Sequence, residues 1–143
     1  MKKKLIILIV MFILLLAFSF MCVYNIRQVT LKVKEHNNYY ESYYNKEIFG
    51  TDLISLINKT MDYNTKNDVE VDSDSIYFKD NLKNSIKIDI KFLESKNTNT
   101  MEEIAKKKSE NFVKFFANSK FKCKEIKYHK ETKNIKYLYF EQI

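Results

Sequence analysis

The chain has 143 residues, 45% apolar and 15% aromatic, with a single glycine and no proline; this composition folds, and it excludes disordered, collagen-like and Gly/Pro-rich linker proteins. The length admits one ordinary domain and argues against a two-domain enzyme. The net charge is +7 and every basic residue but Arg27 is lysine, so the planar guanidinium forks that read phosphates and base edges are nearly missing and nucleic acid is not expected as a partner.

Lys2, Lys3 and Lys4 precede an uncharged apolar run, Leu5–Tyr24, which as a helix rising ~1.5 Å per residue is about 30 Å long, the thickness of a bilayer core. Residues 1–24 are therefore read as a membrane segment. Ala17 and Ser19 have the small-x-small spacing of a signal-peptidase site, so a cleaved signal peptide competes with an uncleaved anchor. The anchor is favoured because apolar residues continue through Phe20–Val23 and Tyr24 stands where an interfacial aromatic belongs. Lipidation of Cys22 is disfavoured by Phe20 and Met21 before it. The lysines favour a cytoplasmic N-terminus and an extracytoplasmic remainder, although Arg27, Lys32 and Lys34 weaken the contrast.

Residues 25–44 lack Gly and Pro, and Ile26, Val29, Val33, Tyr40 and Tyr44 fall at helical spacings, predicting a helical stalk with polar gaps at His36 and Asn37. The stripe is expected to pack on its own domain, with homo-oligomerisation through the stalk as the sharper alternative. Residues 45–143 form the domain. A short strand at Lys46–Phe49 leads to Gly50, where the only glycine predicts a corner with positive φ. Thr51 is expected to cap a helix with Asp52 in its first turn and Leu53, Leu56, Ile57, Thr60 and Met61 inward. Val69–Phe78 and the alternating run Ser85–Phe92 are read as a hairpin. Thr100 and Glu103 spell a capping box for a helix reaching Asn118, with Met101, Ile104, Ala105, Phe112, Phe115 and Phe116 inward. Phe121–His129 and Asn134–Phe140 predict a final hairpin. The sum is an α+β domain, β-α-β-β-α-β-β, with a mainly antiparallel sheet and two helices on one face.

The residues that carry chemistry are sparse. Cys22 and Cys123 sit in different regions and predict no disulfide. His36 and His129, the only histidines, lack partners at zinc spacing and are read as solvated or turn residues. Asp68, Glu70, Asp72 and Asp74 alternate like a calcium loop but lack its central Gly and terminal Glu. Cys123 and His129 would lie about 20 Å apart along a strand, too far for a nucleophile and its base. No nucleophile elbow, zinc-protease motif or phosphate loop occurs, so no catalytic residue, metal or cofactor is expected and the chain is read as a non-enzyme. Residues 101–143 carry a surplus of +5. Their lysines, Lys106, Lys107, Lys108, Lys114, Lys120, Lys122 and Lys124, form a candidate basic surface for anionic lipid or wall polymer, against the plainer reading of a solvated face.

The run G-T-D-L-I-S-L-I-N-K at Gly50–Lys59, with Gly50, Thr51, Asp52, Leu53 and Asn58 as its marked positions, resembles a motif of small bacterial membrane-anchored proteins with no assigned activity. Met101-Glu102, Phe121-Lys122-Cys123, Tyr128-His129-Lys130 and Tyr139-Phe140-Glu141 are similar to that group too. The resemblance implies an address and a shape. A looser similarity is to type IV pilin-like subunits, which share a basic start, an apolar helix and a small α+β head; this chain departs from them in lacking the Gly or Ala processing site and the early Glu. The expectation is a single-pass anchored interaction or structural accessory protein with an unknown protein partner, and the alternative is a pilin-like assembly subunit.

Overall fold

The computed structural model describes residues 2–72, 76–106 and 109–143. It divides into two compact units, residues 1–35 and 36–143. The first is wholly helical, formed by α1 (Lys2–Glu41), whose last turns belong to the second unit. Its apolar side chains stand exposed along the whole Leu5–Tyr24 run, and the helix is long and apolar enough to cross a membrane. The Ser19 hydroxyl donates to the Leu15 carbonyl at 2.6 Å, so its polar group is satisfied within the helix.

The second unit is α+β. Beyond α1 its elements are β1 (Glu47–Phe49), α2 (Gly50–Lys66), β2 (Lys87–Lys91), β3 (Thr98–Thr100), α3 (Met101–Lys106), α4 (Ser109–Phe116), β4 (Lys120–Tyr128) and β5 (Ile135–Gln142). The strands form one mixed sheet in the order β1-β4-β5-β2-β3, in which β2 and β5 run parallel and the other neighbours are antiparallel. Cross-strand register puts Ile48 beside Phe121, Cys123 beside Phe140, Ile88 beside Leu138 and Ile90 beside Phe140, and all of these are buried. One face of the sheet is thus the core. Leu53, Leu56 and Ile57 of α2 and Met101 of α3 complete it, each at most 1% exposed, and each such burial stabilises by about 1.5–3 kcal/mol.

The expected hairpin of Val69–Phe78 with Ser85–Phe92 does not form. Val71 instead makes an isolated antiparallel bridge to Phe78, and β2 pairs with β3 and β5. The physical reason lies in two asparagines. Asn64 of α2, fully buried, donates from Nδ2 to the Ile86 carbonyl (2.8 Å) and accepts the Ile86 N–H at Oδ1 (2.9 Å), occupying both backbone groups that a strand partner would use. Asn81 Oδ1 gathers the N–H groups of Lys83, Asn84 and Ser85, which closes the intervening chain into a loop.

The capping box of α3 is present: the Thr100 N–H donates to Glu103 Oε2 at 3.1 Å and the Glu103 N–H to Thr100 Oγ1 at 3.3 Å. The helix expected to run to Asn118 is described as α3 and α4, ending at Phe116, with residues 107 and 108 outside the described residues. Phe112 is buried but Phe115, expected inward, is 70% exposed. The closing hairpin of β4 and β5 agrees with the sequence pattern, with Lys133 at φ 60° in its turn and irregularities in register between Cys123 and Glu125 and between Lys127 and Tyr128. The stalk stripe is corrected as well. Helix α1 ends at Glu41, Tyr40 is buried and Tyr44 is half exposed, because the chain turns at Ser42 and Tyr43, where the Tyr43 N–H donates to the Tyr40 carbonyl at 3.1 Å, and Tyr44 then bridges Cys123 of β4.

Candidate functional site

The motif at Gly50–Lys59 builds a helix start, by a different means from the expected one. No glycine in the chain has positive φ. Gly50 is the first residue of α2, its N–H donates to the Ser119 carbonyl at 2.9 Å, and a Cβ placed on it would lie 1.9 Å from the Phe116 carbonyl oxygen. Close approach of two backbones, where α2 starts beside the end of α4, is what requires glycine here. Thr51 is not the cap: Phe49 occupies that position without a side-chain cap bond, and Thr51 is exposed in the first turn. Asp52 is in that turn as expected, where a carboxylate favours the helix dipole. Leu53 is fully buried and Asn58 is exposed.

The lysines are distributed over different parts of the unit. Lys106 and Lys114 are exposed in the last turns of α3 and α4. Lys107 and Lys108 lie outside the described residues. Lys120 and Lys122 belong to β4, on the sheet face away from the core, where Lys120 Nζ is 3.2 Å from Glu47 Oε2 and Lys122 is in register with Glu47 and Glu141. Lys124 is exposed at the β4 irregularity, in a shallow depression with Glu41 and Glu125. On that outer face lysines alternate with carboxylates: Lys127 pairs with Glu125 at 3.1 Å and also covers the Tyr137 ring at 4.7 Å. Tyr137 in turn donates to Asp89 Oδ2 at 3.1 Å. Partial burial raises the Asp89 carboxyl above the usual range, opposed by the Tyr137 hydrogen bond and the charge of Lys87.

One open concavity is apolar and was not anticipated from the sequence as a site. It is a groove of about 860 Å³ walled by Phe92, Ile104, Phe112, Phe115 and Phe116, with Glu94, Asn99 and Asn111 at its polar edge. The rings are mutually packed, Phe92 on Phe116 at 4.7 Å and Phe112 on Phe116 at 5.3 Å, and Phe121 closes the cluster 6.0 Å from Phe112. Phe115 stands at the rim with most of its ring in water, and Leu93 beside Phe92 is 69% exposed. Spacing alone puts all three α4 phenylalanines inward; in the fold Phe112 is buried and Phe116 half-buried against Phe92, while Phe115 meets the Lys114 ammonium at 5.7 Å from its ring centroid.

Cys123 is fully buried under the sheet, and burial pushes its thiol up to about 11, so it is held as an unreactive apolar side chain. His129 is 3% exposed, with Nε2 donating to the Ser85 carbonyl at 2.8 Å; His36 is half-buried against the Tyr40 and Tyr63 rings. His129 stands in the β4–β5 turn, in line with its turn reading, its N–H donating to the Asn134 carbonyl at 2.8 Å, but its ring is covered beside Ser85; His36 departs from the solvated reading because Tyr40 and Tyr63 cover it. Glu70 of the acidic run pairs with Lys79 at 3.2 Å, and Asp74 lies outside the described residues. Among the described residues no three His, Cys, Asp or Glu side chains are grouped to hold a metal ion. In comparison with known proteins, the chain matches no family model, no curated protein and no solved structure.

Proposed function

We propose that this chain is a membrane-anchored interaction protein, held in the bilayer by Leu5–Tyr24 with its N-terminus cytoplasmic, and that its folded unit binds an apolar side chain of a protein partner in the phenylalanine groove. The supporting observation is Phe115, 70% exposed at the rim of that groove, next to Phe112, which is buried, and Phe116, which is half-buried. An exposed aromatic cluster edged by amides and a carboxylate has the make-up of a recognition pocket, with an apolar floor for affinity and a few polar groups for orientation. The lysine surface fits this purpose less well, since Lys120 and Lys127 are already paired with carboxylates and exposed pairs contribute little.

A photo-crosslinking residue at position 115 in native membranes tests the reading. It should give a discrete protein adduct that Phe92→Ala abolishes and that replacement of Lys106 and Lys114 by Gln leaves unchanged. An adduct insensitive to Phe92→Ala, together with salt-sensitive binding of the whole protein to anionic vesicles, would transfer the role to the lysines. Protease added outside sealed cells should remove residues 25–143 if the orientation is right; full protection reverses it, and a soluble product starting near Phe20 replaces the anchor with a signal peptide.

A further inference from the structure

The only two histidines of the chain, far apart in sequence, both lie in the second unit. His36 sits between the ring of Tyr40 on its own helix (centroids 5.1 Å) and that of Tyr63 on α2 (4.8 Å), and its Nε2 is buried without a hydrogen-bond partner. The neighbouring side chains tie this end of α1 down. Asn37 donates from Nδ2 to the Lys133 carbonyl (2.8 Å) and accepts the Ile135 N–H at Oδ1 (3.0 Å). The Tyr40 hydroxyl meets Thr60 Oγ1 at 3.4 Å, and the Tyr128 hydroxyl donates to Glu41 at 2.8 Å. Three elements therefore grip His36–Glu41, with a bare imidazole nitrogen at the centre of the contact.

We propose that His36 is an acid-operated latch: unprotonated, it lets the last turns of α1 seat on α2 and on the β4–β5 hairpin, and protonated, it releases them. A proton on Nε2 would place a donor where no described residue accepts it, and a charge that only the Ile135 backbone favours, a cost in a buried site. The titratable groups packed around it do not relieve that cost. Tyr39 and Tyr40 on α1 and Tyr63 on α2 are uncharged phenols, the latter two with protons held more tightly by burial. Lys59 of α2 is engaged over the Tyr39 ring at 3.5 Å, Lys133 of the hairpin contributes its carbonyl, and Glu41 is turned to Tyr128. Burial lowers the proton affinity of His36, the Ile135 backbone works in the opposite sense, and charge on His129 lowers it again.

The sign follows. Since the seated imidazole binds its proton more weakly than a free one, seating is fully favoured above the ordinary histidine range and is lost as pH falls through that range toward the lowered value. In the full chain in detergent micelles, lowering the pH from about 7.5 to about 5 should reduce both the near-UV circular dichroism of the tyrosines and the melting temperature, while His36→Phe, which keeps a ring but cannot titrate, should hold both constant. A parent protein indifferent to that change, or a His36→Phe variant that falls in parallel with it, overturns the latch. A second measurement needs no variant: imidazole NMR of the parent should show His36 titrating together with shifts in the Tyr40 and Tyr63 rings, and titration of His36 with those rings unmoved is equally decisive against it.

Discussion

Replacing Gly50 by Ala adds one methyl group at a close backbone crossing, between the start of α2 and the end of α4. The added carbon would lie 1.9 Å from the Phe116 carbonyl oxygen and 2.8 Å from its carbon, with the Ala117 Cα at 3.5 Å. All three are main-chain atoms, so no side chain can swing aside. Restoring ordinary contact requires the start of α2 and the end of α4 to part by more than about 1 Å. That movement pulls on the Gly50 N–H bond to Ser119 and on the Phe112–Phe116 wall of the groove. Overpacking of this kind costs about 1–3 kcal/mol, and the reduced freedom of the unfolded chain returns about 0.4–1 kcal/mol. Because the clash is with main-chain atoms the upper part of that cost applies, so a net loss of about 1–2.5 kcal/mol follows, and at about 4–8 °C per kcal/mol for a unit of this size the melting temperature should drop visibly. Thermal melts of the full chain in micelles, followed by near-UV circular dichroism, provide the assay. Gly50→Asn discriminates the cause, because a positive-φ site would tolerate Asn better than Ala, whereas a steric site penalises any Cβ. An Ala variant as stable as the parent, or an Asn variant milder than Ala, would refute the close-approach reasoning.

Three further outcomes follow from particular contacts. Thr51→Ala should change stability by less than about 0.5 kcal/mol in the same melts, since Thr51 is an exposed first-turn residue and not the cap; a loss of about 1 kcal/mol would restore the capping role. Asn64→Leu should be among the most damaging single changes, about 2–6 kcal/mol, because it strands the buried N–H and carbonyl of Ile86 at about 1–3 kcal/mol each; urea denaturation midpoints measure it, and a near-neutral result would mean that water replaces the amide. In a Cys22→Ser background, maleimide should label Cys123 only as the unit unfolds, since the thiol is fully covered and burial pushes it up to about 11; rapid labelling of the native protein at neutral pH would contradict that burial.

What the sequence determined by itself was everything carried by local periodicity and short-range chemistry. Twenty uncharged apolar residues make a helix long enough for a bilayer whatever follows them. The alternation of Ile86, Ile88 and Ile90 with charged residues makes a strand with one dry face, Thr100 and Glu103 close a capping box within one turn, and a short polar loop between two β-rich runs makes the β4–β5 hairpin. The tertiary structure decided what depends on partners distant in the chain. Strand β2 carries the same pattern whether it pairs with the segment before it or in parallel with β5, and the choice is made by Asn64 taking the backbone of Ile86 from α2. Gly50 reads as a flexible corner until α4 is laid across it. Phe112, Phe115 and Phe116 share one helical spacing, yet in the fold Phe112 is buried and Phe116 half-buried against Phe92, while Phe115 is uncovered at a groove. Asn37, a polar gap in an apolar stripe, anchors the end of α1 because the β4–β5 hairpin, remote in sequence, supplies the Lys133 carbonyl and the Ile135 N–H that it meets, and His36 beside it packs on the Tyr40 and Tyr63 rings. Side-chain periods report which face of an element is dry, and only the assembled layers report what lies above it.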